Sequence, residues 1–325
     1  MTNLLLYKEY IKRFFTKYED YIMPLLKLVL GLILFSAIND RLGFMEQLND
    51  SKVVLVASLF CSFLPLGMMA FLGGVFLMLH AYALSIECMA VLLLILIFVC
   101  VVYFRFSPKA NLVLLLTPLL FAWKIPYVMP VAAGLFGTPV TAVALACGVL
   151  IYYMLSYMSG NATVLGTAEV DSMLQRFKEV TNGVFGNREM LIVIVAFCAT
   201  VILVYGIRRL SIDYARAIAV LVGTLSNIVI LLIGDLMYDA QFSIGSVIFG
   251  SVLSALIVLV IQFFHFTLDY ARTEKVQFED DEYYYYVKAV PKMSVSAPEK
   301  TVKKITTRRT NQSARHGHTK GKVKK

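Results

Sequence analysis

A carboxylate set among apolar residues is the sharpest chemical feature of this chain. Glu87 lies between Ile86 and Cys88. An ionised side chain in hydrocarbon must pair, take up a proton or face an interior cavity. His80, one short stretch earlier, offers a partner. A proton or cation site on these two residues is one reading. The other is an interfacial turn over 80–87 that leaves Glu87 in water. Pro65, Gly67, Pro126 and Pro130 interrupt neighbouring apolar stretches. Proline removes a backbone donor and breaks a helix. Backbone groups freed at membrane depth are tolerated only inside protein or beside a watery cavity. These six residues form the expected intramembrane polar site.

Other chemistry finds no support in the sequence. There is no P-loop, no nucleophile elbow, no zincin helix and no Cys/His cluster. No cofactor or metal and no enzymatic activity are therefore expected, and ATP-driven transport would need a separate ATPase subunit. Gly234-Asp235 and Tyr238-Asp239 are similar to the GD and YD aspartates of intramembrane proteases. Those aspartates come from two helices, whereas these sit close together at one helix end. The five cysteines, Cys61, Cys88, Cys100, Cys147 and Cys198, all lie in apolar segments and read as small core residues.

The elements that must position such a site are membrane helices. Of 325 residues, 59% are apolar and 16% charged, against about 25% charged in an ordinary soluble domain. Residues 271–325 hold 14 Lys and Arg against 6 Asp and Glu, which leaves 16 against 15 for residues 1–270 of the totals 30 and 21. The basic character thus belongs to a tail. Leu4, Tyr7, Ile11, Phe14, Phe15, Tyr18 and Ile22 share one helical face. Residues 1–20 therefore read as an amphipathic helix on the membrane surface or as an extension of the first span. No cleavable signal peptide is expected, because the first long apolar run begins only near Tyr21.

The transmembrane domain is expected over 21–270. Its first span covers about 21–38, with Lys27 snorkelling towards the cytoplasmic surface. The stretch 53–104 breaks into about 53–64, 67–81 and 86–104. The stretch 110–158 is broken by Pro118, Pro126, Pro130, Gly134, Gly137 and Pro139, and 139–158 is its longest clean helix. Lys124 beside Trp123 reads as an interfacial anchor. Over 159–189, Val170, Met173, Leu174, Phe177, Val180 and Val184 mark a short surface helix that stops at Asn182-Gly183. Three regular spans follow, at about 190–207, 214–237 and 243–268.

Lys and Arg cluster at the N-terminus, at 105–109, at 208–216 and in the tail, so both termini are expected in the cytoplasm of a cell-membrane protein. That requires an even number of crossings: about six if the broken pieces are re-entrant, about ten if each crosses. The two broken regions then share a plan but run in opposite directions, as in an inverted repeat, and their breaks are expected to face each other. In transporters such paired broken segments mark the binding site. The fold expected is an all-α polytopic membrane bundle with broken or re-entrant helices.

Two helices carry small residues at every fourth position: Ala215, Ala219, Gly223 and Asn227, and Ser246, Gly250 and Ser254. Such ladders let backbones approach. The two helices are expected to pack on each other, with Asn227 as an interhelical donor.

Residues 271–325 form a cytoplasmic segment. Glu279, Asp280, Asp281 and Glu282 precede Tyr283, Tyr284, Tyr285 and Tyr286. That combination reads as a recognition strand or an aromatic band, open to a cytoplasmic protein partner. Lys303, Lys304, Arg308 and Arg309 belong to a basic run over 300–325 that is too polar to fold alone. Anionic lipid rather than nucleic acid is its expected partner. The stretch from Val276 to Lys292 resembles a segment in a family of multi-pass membrane proteins of Gram-positive anaerobic bacteria, some labelled permease-like. The resemblance implies the polytopic body and basic terminus but no site residues.

Two functions follow. One is a permease-like transport or solute-binding subunit with a polar cavity at the broken helices beside Glu87. The other is a non-enzymatic anchor that recruits a cytoplasmic partner through its tail and has a filled bundle.

Overall fold

The computed structural model describes residues 7, 10–11, 14–166, 173–212, 214–240, 242–265, 274–279 and 284–289. Residues 3–267 form one compact unit and 268–325 belong to a second. The first is an all-α polytopic membrane bundle. Among the described residues, seven helices are long and apolar enough to cross a membrane, and two shorter apolar helices accompany them.

Helix α1 (Glu19–Arg41) runs towards what is called here the upper end. A loop with Gly43 in the left-handed region and a 3-10 turn at Glu46–Leu48 follow. Asp50 then caps α2 (Ser51–Phe63) by accepting from the Lys52 N–H. α2 descends against α1, and a Cβ at Gly31 would lie 3.2 Å from Ser58 Cα, so the two backbones nearly touch. Pro65 ends this descent, and α3 (Leu66–Leu84) climbs back. His80, near its top, meets Asn39 and Met45 at the upper end of α1. Ser85 caps α4 (Ile86–Phe106), which descends to the lower end.

The next three helices run in the opposite sense. α5 (Asn111–Ala122) starts at the lower end, where Tyr103 Oη lies 2.5 Å from Asn111 Oδ1. It climbs parallel to α7 (Thr141–Gly160): Thr117 faces Gly148, and Phe121 stacks on Tyr152. Lys124, with φ of 61°, reverses the chain, and α6 (Val128–Phe136) returns downwards. α7 then climbs through the centre. Two-thirds of its span is buried, against 22% to 44% for the other spans, so it is the axis of the bundle.

Each half is a helical hairpin followed by a full span, but the halves differ in build: α3 is itself long enough to cross, whereas α6 has only 9 residues. Within the second half Pro118 lies inside α5 without ending it. The two breaks do not face each other as expected. Gly67 sits beside Asn111 at the start of α5, whereas α6 packs against the C-terminal helices.

α8 (Ala162–Gly166) and α9 (Met173–Phe185) connect the halves to the rest. Val180 and Val184 of α9 are buried against the bundle, as the pattern predicts. Val170 lies outside the described residues. Asn182-Gly183 does not stop α9; Gly183 instead leaves room for the Tyr157 ring.

α10 (Arg188–Arg208), capped by Asn187, descends; α11 (Ala215–Tyr238) climbs, and α12 (Ile244–His265) descends. The small-residue ladders work differently from the expectation. α11 does pack on α12, but its Gly223 faces Val204 and Thr200 of α10. Gly250 faces the Tyr127 ring, and Ser254 is buried. Ser246 is exposed and donates to the Ser243 carbonyl at the helix start. Asn227 is buried and accepts, rather than donates, a long 3.5 Å bond from Thr200 Oγ1.

In the second unit β1 (Glu274–Glu279) pairs antiparallel with β2 (Tyr284–Ala289), with Val276 opposite Val287 and Phe278 opposite Tyr285. The segment expected as one recognition strand is therefore a strand pair. Asp280, Asp281, Glu282 and Tyr283, and the basic run with Lys303, Lys304, Arg308 and Arg309, lie outside the described residues.

Candidate functional site

Glu87 sits in the first turn of α4, half-exposed, two residues after the Ser85 cap. A carboxylate there is favoured by the helix dipole and needs no buried partner. His80 is fully buried and belongs to a different group. The Met45 N–H donates to its Nδ1 at 3.3 Å, and its Nε2 lies 2.9 Å from Asn39 Oδ1. Since Nδ1 accepts, Nε2 carries the proton and donates to Asn39, which fixes a neutral ring. Asn39 Nδ2 in turn donates to the Leu48 carbonyl at 2.6 Å. His80 staples the loop between α1 and α2, and both ring nitrogens are spent before Glu87 could be reached.

A test follows from this contrast. His80→Leu should cost about 2–3 kcal/mol, because a half-buried N–H and a half-buried amide lose their partners. Glu87→Gln should stay within about 0.5 kcal/mol, as a half-exposed change outside any network. Thermal unfolding in detergent should separate the two variants clearly. Equal losses would mean that Glu87 is tied into the same network.

The proline breaks are closed by distant cations. Lys27 does not snorkel free; its Nζ donates to the Leu64 carbonyl at 3.1 Å, next to Pro65. Arg208 donates to the Leu135 carbonyl and, at 2.7 Å, to the Gly137 carbonyl at the end of α6. Pro130 is buried within α6, and half-buried Pro126 opens the turn before it. Lys124 and Trp123 are exposed.

One cavity of about 80 Å³ lies between α1, α3, α4, α5 and α7. None of the six residues of the expected polar site lines it. Its walls are apolar, including Leu34, Leu77, Leu96 and Leu114, and Gly73 and Gly74 leave the space open. Arg41 is the single charged lining residue. Its Nη2 donates to Tyr152 Oη at 3.2 Å, and its guanidinium carbon stands 4.5 Å from the Tyr152 ring centroid. Phe121 stacks on the same ring at 4.3 Å. The expected polar cavity beside Glu87 is replaced by an apolar one with a cation at its rim.

Sequence reasoning placed Arg41 in a polar loop and used Arg208 only to orient the chain. The available signal for Arg41 was its spacing from Leu34 and Ile38, which puts all three on one face of α1. Among the described residues, no group of three or more His, Cys, Asp or Glu is placed to hold a metal. Compared with protein-family models, with characterised proteins and with solved structures, the chain matches none.

Proposed function

We propose that the chain is a permease-like membrane subunit that holds a solute between its two oppositely directed hairpins. The observation that supports this reading is the position of the cavity. It is bounded by α3 of the first hairpin, α5 of the second, α4 and α7, the spans that follow them, and by α1, which closes one side with Leu34, Ala37, Ile38 and Arg41. Inverted-repeat transporters place their solutes at such repeat interfaces. The energy comes from a gradient or from a separate ATPase subunit. The excess of Lys and Arg at the 208–216 turn and at both chain ends puts the termini in the cytoplasm of a cell membrane.

The anchor reading is favoured by the β1–β2 pair, on which Tyr286 and Lys288 are exposed. A two-stranded ribbon alone is marginally stable, so a partner would complete it. The run 300–325 would add attraction to anionic lipid.

Ala122→Cys separates the two readings, since Ala122 lines the cavity. In vesicles of known orientation, a charged methanethiosulfonate should label the variant above the background of the native chain. Removing 276–325 should leave that labelling unchanged. Labelling no greater than the native background would favour the anchor.

A further inference from the structure

We infer that the cavity takes an aliphatic chain ending in an anionic group, with the anion on Arg41. This inference rests on the cavity being the solute site. Arg41 lies in the last turn of α1, at the end of an apolar span. A guanidinium has five N–H donors, and the single hydrogen bond of Arg41 goes to Tyr152. No Asp or Glu pairs with it among the described residues. With its guanidinium carbon 4.5 Å from the Tyr152 ring centroid and one N–H on Tyr152 Oη, Arg41 keeps four donors for an oxyanion. A half-buried cation without a counter-ion is costly at the edge of hydrocarbon, and an anionic ligand removes that cost.

The walls decide the rest of the ligand. Below Arg41, Ile38, Ala37 and Leu34 continue down the same side of α1, and Gly73 and Leu77 of α3 line the cavity with them. A polyhydroxylated or zwitterionic solute would bury polar atoms there with no partner, at a cost of about 1–3 kcal/mol each. A volume of about 80 Å³ is several times the roughly 10–15 Å³ that a cavity needs to hold one water. That space suits the end of one hydrocarbon chain. A free short-chain carboxylate and an anionic phospholipid both supply this chemistry.

The test uses the full chain in phosphatidylcholine nanodiscs, with butyrate and butan-1-ol as paired probes and ligand-observed NMR against empty discs. Butyrate should bind, butanol should bind at least tenfold more weakly, and Arg41→Gln should abolish the difference. That result makes free carboxylate the source. If the source is lipid, the protein extracted from phosphatidylglycerol membranes should retain that lipid in native mass spectrometry. It should then lose it in Arg41→Gln, and added phosphatidylglycerol should compete with butyrate. Equal binding of butyrate and butanol to the native protein would overturn the anionic class while keeping the cavity as a binding site. Binding of neither probe, with no retained lipid, would overturn both this inference and the site on which it rests. Should Arg41→Gln not fold, the butyrate-to-butanol ratio of the native protein decides the matter alone.

Discussion

Replacing Arg208 with methionine should lower the thermal unfolding midpoint in detergent by about 4–12 °C, from a loss of about 2–3 kcal/mol. The reason is local. α6 ends at Phe136, and the Gly137 N–H still bonds to the Ala133 carbonyl. The next carbonyls have no continuing helix. Leu135 would require the N–H of residue 139, which is a proline and has none. Gly137 would require the Thr141 N–H, which bonds to Thr138 instead. The Arg208 fork supplies both missing donors. Methionine keeps much of the stem and removes only the donors, so the loss reports the two stranded carbonyls. Arg208→Lys should recover part of it, since one ammonium can reach one of the two acceptors. An Arg208→Met protein that melts with the native one would show that water satisfies these carbonyls equally well.

The same device recurs in the first hairpin. Leu64 would continue its helix through the Met68 N–H, which bonds to Pro65. Lys27 takes its carbonyl instead. In both hairpins a helix end beside a proline leaves an acceptor without its helical donor, and a cation from another helix takes it. The prolines, and hence the breaks, could be read from the sequence because a missing N–H is a property of the residue itself. The cations could not, because they arrive from distant parts of the chain, and residue type alone made them topology signals.

The same distinction explains the remaining successes and failures. Apolar length revealed the polytopic bundle, and Pro65 marked where α3 begins. Pro118 looked like another break, yet it sits within α5. Glu87 stood out because a carboxylate among apolar neighbours is costly at depth, but a helix start offers it water and a favourable dipole. Arg41 stood out less, because its cavity is made by Gly73, Gly74 and Pro118 on two other helices. Periodicity showed that α11 and α12 carry small faces. It could not say that Gly223 would meet α10 and Gly250 the Tyr127 ring. The acidic patch and tyrosine run read as a recognition strand or an aromatic band, and the partner strand was hidden in the mixed-charge segment before it.

The second large effect is expected at Gly134. A Cβ there would lie 2.7 Å from Val204 Cβ and 2.9 Å from the Val201 carbonyl oxygen of α10. The oxygen belongs to the backbone, so no rotamer change relieves the clash, and α6 must move away from α10. Gly134→Ala should therefore cost about 1–3 kcal/mol, the usual range for overpacking a close contact. Gly74→Ala is the control, because its Cβ would meet only Leu96 methyls at 3.7 Å or more; it should cost nothing measurable. The close approach of α6 also holds the Leu135 and Gly137 carbonyls within reach of Arg208, whose own helix is α10. A shift that relieves Gly134→Ala should stretch those bonds, so the two sites share one loss. Gly134→Ala combined with Arg208→Met should then fall short of the sum of the single changes by about 0.5–3 kcal/mol, the range for coupled neighbours. Strict additivity in this cycle would mean that α6 keeps its place when Gly134 is replaced, and that the clash is absorbed within α10 instead.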